Sequence, residues 1–521
     1  MKKLRVAIMS HELDVRPERT LFFRRLIEGL VERPEIELTL IHFEHMPDDP
    51  LYSKACEILL PVVPLPYAKR FLSFIRFCLT TKERFDIVHW LKPRVFPFFW
   101  LFPARRTVIM VHGGGDVIVD GIWTFSRQVF NYTLIWFRKY VDAMIAVSEY
   151  ANKEIIYAYR VHPDRVHTIY PHLDPMYGSI PDDKTTSRTL DRYGIKAQTY
   201  FLYLGRPELH KNVGNLVSAY LQYRERNPEM KELLVLGGSI KAKYERTFGT
   251  LPASPFSADI HFLGYIPAEN LPALYCGACA LSFVTLNEGF GLPVIEAMAC
   301  GTPVITSSVT SLPEVAGNAA IIVDPKDPDA LSEALKLVRD PKVRATLIER
   351  GLSRCRFFTI EKMLHDTIAL YKYLIDGKRP LAFDPKSRYN AHVNLKTPLP
   401  EAIDKFSILT LKLERLPANE PDRLMIEKEY AFYGKVIDAY REEGVAVKDE
   451  WIADMVDING QCWDLEAAIR QGRDQELGLE EVGRRALALR DLNKIRIARK
   501  NNIAQKIGLD FFEIKVDHAS Q

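Results

Sequence analysis

Glu288 and Glu296 stand with seven residues between them, and those residues run Gly289-Phe290-Gly291-Leu292-Pro293-Val294-Ile295. A strand-like stretch, Ala280 to Val284, comes before this run, and a small-residue helix that ends at Gly301 follows it. The local reading is strand, glycine loop, helix. Pro293 suits the first helical position, where its missing N–H would have no partner anyway. Gly289 and Gly291 allow close backbone approach and positive φ. Unpaired N–H groups at a helix start, with the positive end of the dipole, attract anions. Carboxylates beside such a spot cannot bind the anion themselves; they accept hydrogen bonds from neutral hydroxyls. A ligand with phosphate in its middle and hydroxyl-rich rings on either side fits, namely a nucleotide-diphosphate sugar.

Two cations complete this chemistry. Arg206 and, five residues on, Lys211 follow the strand-like Tyr200-Phe201-Leu202-Tyr203-Leu204. On spacing alone they read equally as solvated charges after a strand. Fixed charges aimed at a leaving diphosphate in a dry cleft contribute more, by analogy with losses of roughly 3–4 kcal/mol for an oxyanion-hole donor.

Taken with Gly301-Thr302-Pro303-Val304-Ile305-Thr306, Leu312-Pro313-Glu314-Val315, Val323-Asp324-Pro325 and Phe262-Leu263-Gly264-Tyr265-Ile266-Pro267, these residues resemble the retaining glycosyltransferases of family 4. The resemblance covers about residues 200–330 and implies the GT-B fold: α/β, two facing Rossmann-like domains. It implies that Arg206 and Lys211 neutralise the diphosphate, that Glu288 binds hydroxyls of the transferred sugar and that Glu296 binds the ribose. Backbone from Gly289 through Phe290, Gly291 and Leu292 would face the sugar and diphosphate, and Tyr265 would lie near the base. His112, after the strand Thr107 to Val111 and before Gly113-Gly114-Gly115-Asp116, matches the family's sugar-contacting histidine. Asp116 is a candidate for orienting it or meeting the acceptor. Ser148 matches the family's serine at a helix start and reads first as an N-cap. The implied mechanism is front-face substitution, with no carboxylate nucleophile, no metal and no cofactor beyond the nucleotide sugar as co-substrate.

Two departures stand out. The usual glycine-rich loop after the first strand is replaced by His11-Glu12-Leu13-Asp14-Val15-Arg16-Pro17-Glu18-Arg19, so Arg16 or Arg19 would make contact through side chains instead. The usual Asn-Gly-Val-Asp near the hinge is His172-Leu173-Asp174. The absence of GxGxxG after that strand argues against a nicotinamide dehydrogenase.

The elements that must position these groups follow from hydrophobic patterning. Short apolar runs at 4–10, 36–43, 86–90, 107–111 and 143–147 alternate with helical stretches, and a second such series begins at Tyr200. Alternation of this kind predicts parallel, doubly wound sheets with ligands at the carboxyl ends of the strands. Thr359 caps a helix whose apolar face carries Met363, Leu364, Thr367, Ile368 and Tyr371; in the GT-B pattern it crosses back onto the first domain. The expected organisation is an acceptor domain at 1–180, a nucleotide-sugar domain at 181–376, a linker at 377–400 and an all-α helical bundle at 401–521. In the bundle, Ile403, Phe406, Leu409, Leu413 and Leu416 recur at helical spacing, as do Trp451, Met455 and Ile458, and Leu489, Leu492 and Ile495. Asp404-Lys405 and Asn493-Lys494 resemble a small helical domain of unknown function found with envelope polysaccharide enzymes.

Composition sets the remaining bounds. A chain of 521 residues exceeds one core. A net charge of +3 points to no nucleic-acid partner. The seven scattered cysteines fit reduced thiols and a cytoplasmic location, and the lone Cys276/Cys279 pair reads as packing. No run approaches the ~20 apolar residues of a membrane span. Residues 68–106 hold nine Lys or Arg against two Asp or Glu among many aromatics, the make-up of a surface for anionic lipid or of core aromatics with solvated charges. The expected partners are therefore a nucleotide sugar, a glycan or lipid-linked glycan acceptor, peripheral membrane contact, and a second copy or partner transferase through 401–521. The function expected is hexose transfer, with mannose a candidate, to an O-antigen or other envelope glycan. The rival readings are a nucleotide-binding scaffold that recruits transferases through the bundle, and a sugar-nucleotide epimerase of the same fold.

Overall fold

A computed structural model describes residues 3–11, 21–43, 50–60, 69–93, 95–113, 133–179, 181–238, 241–377, 399–417, 423–442, 444–471 and 479–506. The chain divides into two compact units, Met1–Ser387 and Arg388–Gln521.

The first unit holds two sheets, one in each lobe. The N-terminal lobe contains β1 (Leu4–Met9), β2 (Ile36–His42), β3 (Cys56–Leu59), β4 (Phe85–Trp90), β5 (Ala104–Val111), β6 (Ala143–Ala146) and β7 (Val166–Thr168), in the order β3-β2-β1-β4-β5-β6-β7. The second lobe contains β8 (Tyr200–Leu204), β9 (Leu233–Gly237), β10 (Ile260–Gly264), β11 (Ala280–Phe283), β12 (Val304–Ser307) and β13 (Ile321–Val323), in the order β10-β9-β8-β11-β12-β13. Neighbouring strands pair in parallel, as in β1 with β4 and β8 with β11. Helices cover both faces of such sheets, which is why central strands like Tyr200–Leu204 are apolar and buried at every position. The expected α/β GT-B architecture is present. The strands that patterning did not predict, β3 and β7, are short edge strands whose burial is incomplete.

In each sheet the order reverses beside the first strand, between β1 and β4 and between β8 and β11. Loops at the carboxyl ends of strands flanking a reversal diverge and open a crevice. The loop after β8 carries Arg206 and Lys211, and the loop after β11 carries Glu288.

The Ile360–Asp376 helix is capped by Thr359, whose side chain accepts from the Lys362 N–H. Its Met363, Leu364, Ile368 and Tyr371 pack into the core made by Val6, Ile8, Leu26 and Ile27 of the N-terminal lobe. Tyr371 Oη lies 2.6 Å from Nδ1 of buried His89 in β4. Burial holds that imidazole neutral, with its pKa pushed down to about 3.

The second unit contains four described helices, Leu399–Arg415, Arg423–Glu442, Asp449–Gln471 and Leu479–Lys506. Ile403, Ile437, Trp451, Met455, Ile458 and Ile503 form its apolar core. Within it lies buried Asp404, which accepts from Arg496 Nε (2.9 Å), Arg496 Nη2 (2.6 Å) and Asn459 Nδ2 (3.0 Å). Burial raises the pKa of that carboxyl, but the Arg496 hydrogen bonds and the charges of Arg496 and Lys500 outweigh it, and the net shift is downward. Ile495, expected on the apolar face, is 46% exposed, whereas Ile497, Lys500 and Ile503 are buried. Arg496 and Lys500 reach Asp404 from the same side of this helix that buries Ile503.

Candidate active site

The loop after β8 makes one short turn, Leu209–Lys211, and ends on Asn212 in the left-handed region (φ 58°). Asn212 is buried, and its Nδ2 donates to Val284 O (2.9 Å) and Pro325 O (2.6 Å). Leu286 N donates to His210 O at 2.8 Å. These bonds stitch the loop after β8 to the loop after β11. Lys211 Nζ therefore reaches Glu288 Oε1 at 2.6 Å, with the two side chains 21% and 13% exposed. Arg206 does not join them. It is 61% exposed and pairs with Glu208 Oε1 at 3.4 Å. Tyr265, just beyond β10, is 66% exposed.

Glu296 lies in the Leu292–Ala299 helix and accepts from Tyr275 Oη at 2.7 Å. Burial pushes its pKa up to about 7, and nearby Asp174 pushes the same way against the Tyr275 and Tyr177 hydrogen bonds. Each of the two glutamates thus has its own partner: a cation for Glu288 and tyrosine hydroxyls for Glu296. Tyr275 carries no spacing signal, since 21 residues separate it from its partner.

The glycine loop is held from both lobes. Gly291 has φ 98° at the start of the Leu292–Ala299 helix, a conformation that disfavours any side chain. A Cβ on Gly289 would overlap the carbonyl oxygen of His112, so the loop after β11 abuts the end of β5. The Phe290 ring is buried against Phe358 (5.4 Å between centroids) and Tyr170, which leaves only its backbone for a ligand. His112 itself is exposed, with the Phe23 ring 5.5 Å away. Asp116, Arg16 and Arg19 lie outside the described residues.

Ser148 is the N-cap of the Glu149–Tyr159 helix as expected: its Oγ accepts from Ala151 N at 2.9 Å. The same hydroxyl donates to Gly289 O at 2.6 Å. From the second lobe, the Glu314 carboxylate accepts from Glu149 N (2.8 Å), Tyr150 N (3.1 Å) and Tyr170 Oη (2.7 Å). Burial raises the Glu314 pKa despite these donors. Sequence reading quoted Glu314 only within a motif and gave it no role. Cys276 and Cys279 are free thiols, with Cys279 buried against Arg339. Among the described residues no cluster of metal-ligating side chains occurs, and no helix is long and apolar enough to cross a membrane.

Comparison with known proteins adds to this geometry. The profile of the group 1 glycosyl transferases matches residues 189–354, and that of Glycosyltransferase Family 4 matches residues 21–176; together they span more than half of the chain. O-antigen chain mannosyltransferase B of Escherichia coli is 35% identical over 233 residues, which is 44% of this chain and 60% of that protein's length. Among solved structures, sucrose-phosphate synthase from Thermosynechococcus elongatus superposes with a TM-score of 0.57 at 21% identity, covering 72% of this chain and all of that one. Anabaena HepE in complex with UDP-glucose superposes with a TM-score of 0.55 at 15% identity, covering 70% of this chain and 98% of that one. With both lobes matched and the strand orders as described, the chain belongs to the family 4 glycosyltransferases of GT-B fold.

Proposed function

We propose that this chain transfers a hexose, with retention, from a nucleotide-diphosphate sugar to an envelope glycan acceptor. The observation that carries the reading is Lys211 paired with Glu288 at the β8/β11 crevice, with Gly289 against His112 from the opposite lobe. Lys211 and the exposed Arg206 neutralise the diphosphate. Glu288 accepts from sugar hydroxyls and Glu296 from the ribose, with Tyr265 beside the base. Gly289, Phe290, Gly291 and Leu292 offer backbone amides at a helix start. His112 contacts the transferred sugar from the facing lobe, and Asp116 is assigned to the acceptor side.

In the transfer step the acceptor oxygen bonds to the anomeric carbon on the face from which the diphosphate leaves. The C–O bond to phosphate breaks, and the acceptor proton passes to the departing phosphate oxygen. No side-chain nucleophile is required. The mannosyltransferase relative supports mannose as the sugar, and the HepE complex supports a UDP-sugar donor. Incubation with a panel of sugar nucleotides, with products read by mass and NMR, tests the reading. Transfer with inversion, or an altered free sugar nucleotide in place of transfer, overturns it in favour of another mechanism or an epimerase.

A lipid-linked acceptor at the cytoplasmic face is part of the proposal. Phe98 is 47% exposed and sits in the left-handed region (φ 61°), an outlier for a bulky residue. The Trp100 ring stacks on Phe137 (4.1 Å) and Tyr140 (5.1 Å), and Lys139 Nζ lies 5.0 Å from the Tyr140 ring. Aromatic rings beside cations suit the headgroup region of an anionic bilayer. The helical unit is assigned to assembly, either with a second copy or with a partner transferase. No nucleic acid is involved.

A further inference from the structure

Three consecutive carbonyls of the glycine loop are each held by a serine hydroxyl. Ser311 Oγ lies 2.9 Å from Glu288 O and 3.0 Å from Phe290 O, and shares its single proton between them. Ser148 Oγ donates to the carbonyl between them, Gly289 O, at 2.6 Å. A planar trans peptide puts each carbonyl opposite the N–H of the next residue. The hydroxyls therefore fix which way the amides of Gly289, Phe290 and Gly291 point. Ser311 belongs to the same lobe as the loop, whereas Ser148 comes from the other.

Ser148 in turn is set by its helix. It caps the third residue, Ala151, while the first two amides, Glu149 N and Tyr150 N, bond across the lobes to Glu314. Each helix start leaves several N–H groups without an internal partner. Here two of them find one only when the lobes are together. Arg354 holds the Glu314 segment, donating to Glu314 O (2.7 Å) and Val315 O (2.9 Å). Tyr170 Oη adds a third donor to the carboxylate.

We infer that Ser148 and Glu314 are positioning residues that form an interlobe latch. When the latch is made, Ser148 rotates the Gly289–Phe290 peptide so that the Phe290 amide is aimed at the diphosphate sugar. Donor recognition by Lys211 does not need the latch, but the aligned amide does. Closing the lobes thereby completes the anion-facing backbone, and an open enzyme binds the donor without the geometry for transfer. The chemical half of this inference rests on the transfer reaction proposed above; the latch itself does not.

The test uses the full chain with Ser148→Ala, Ser148→Thr and Glu314→Gln. Misplacement of a reacting group by about 1 Å costs on the order of 100-fold in rate, so Ser148→Ala and Glu314→Gln are expected to lower kcat about 10- to 100-fold. KM for the sugar nucleotide is expected to move far less, and Ser148→Thr, which keeps the hydroxyl, to recover most of kcat. Hydrogen exchange on the unliganded chain reads the latch without any substrate. Glu314→Gln is expected to speed exchange at the Glu149 and Tyr150 amides and leave the strands of both sheets protected. Unchanged protection there overturns the latch, whatever the enzyme transfers. Wild-type kcat in Ser148→Ala, or a rise in KM at constant kcat, overturns the positioning role.

Discussion

Lys211 Nζ stands 2.6 Å from Glu288 Oε1, although 77 residues separate them in the chain. The pair joins the loop after β8 to the loop after β11. Lys211→Ala removes the cation proposed to face the diphosphate. By analogy with loss of one oxyanion-stabilising donor, kcat is expected to fall about 100- to 1,000-fold. Steady-state turnover with the preferred sugar nucleotide checks this, and a change under about threefold would remove Lys211 from the transfer step.

Gly289 is confined by backbone rather than by a movable side chain, since a Cβ would meet the His112 carbonyl. Gly289→Ala must push the lobes apart or displace the loop. Activity is expected to fall at least about 100-fold, the scale of a 1 Å misplacement near the chemistry. The melting temperature should change by only a few degrees, because each lobe keeps its own sheet. Near-normal activity would show that the contact opens during turnover.

Glu296 gives a pH signature in two opposite directions. Its pKa is raised from 4.5 to about 7 in the folded chain, chiefly by burial. The folded state therefore binds the proton more tightly than the unfolded one. This group favours folding below about pH 4.5, and that contribution, at most about 3 kcal/mol, is lost as pH rises through 7. Nucleotide binding should run the other way, because the ionised carboxylate is the better acceptor for ribose hydroxyls. Affinity for the nucleotide is expected to strengthen between pH 6 and 8, and Glu296→Gln to flatten that slope. Titration calorimetry across this range decides it; the same slope in Glu296→Gln would assign the dependence elsewhere.

The aromatic patch makes a separate claim. With vesicles containing anionic phospholipid, the wild-type chain is expected to float. A Phe98→Ser, Trp100→Ser, Lys139→Glu triple variant is expected to lose at least about tenfold in partitioning, since each cation near an anionic surface contributes on the order of 1 kcal/mol and Lys139→Glu reverses one. Absence of wild-type binding to such vesicles would end the membrane reading and leave the transfer chemistry untouched.

In the helical unit, Asp404 is 2% exposed and depends on Arg496 and Lys500. Arg496→Leu leaves a buried carboxylate short of its main partner, which should destabilise this unit by about 3 kcal/mol. Replacing the whole cluster with apolar residues, Asp404→Leu with Arg496→Leu and Lys500→Leu, should recover much of the loss. Calorimetric melting of the two variants checks the sign.

The placing of the acidic motif, the glycines and Lys211 in loops at strand ends was legible in the sequence because they sit in short contiguous runs; Arg206, which turns to Glu208 instead of Glu288, was not. Legible too was the Ile360–Asp376 helix, whose cap and apolar face lie within one segment. Contacts made by the lobes coming together were not. Ser148 meets Gly289 across 141 residues and Glu314 meets Glu149 across 165, and no periodicity encodes such pairs. Periodicity also misplaced Ile495, because the position on the buried side is taken by Arg496, which bonds Asp404 between Leu492 and Ile503. The short edge strands β3 and β7 lacked the length and full burial that make a strand readable.

Single-turnover transfer from radiolabelled sugar nucleotides by the wild-type chain and Glu288→Ala, with donor binding measured on both, tests whether this crevice transfers a sugar. The wild type is expected to bind one donor and to yield a glycoside of retained anomeric configuration. Glu288→Ala should still bind the nucleoside diphosphate through Lys211 and Arg206 but transfer at least about 100-fold more slowly. Equal transfer by the two proteins, or no binding of any sugar nucleotide by the wild type, would contradict that role of the crevice.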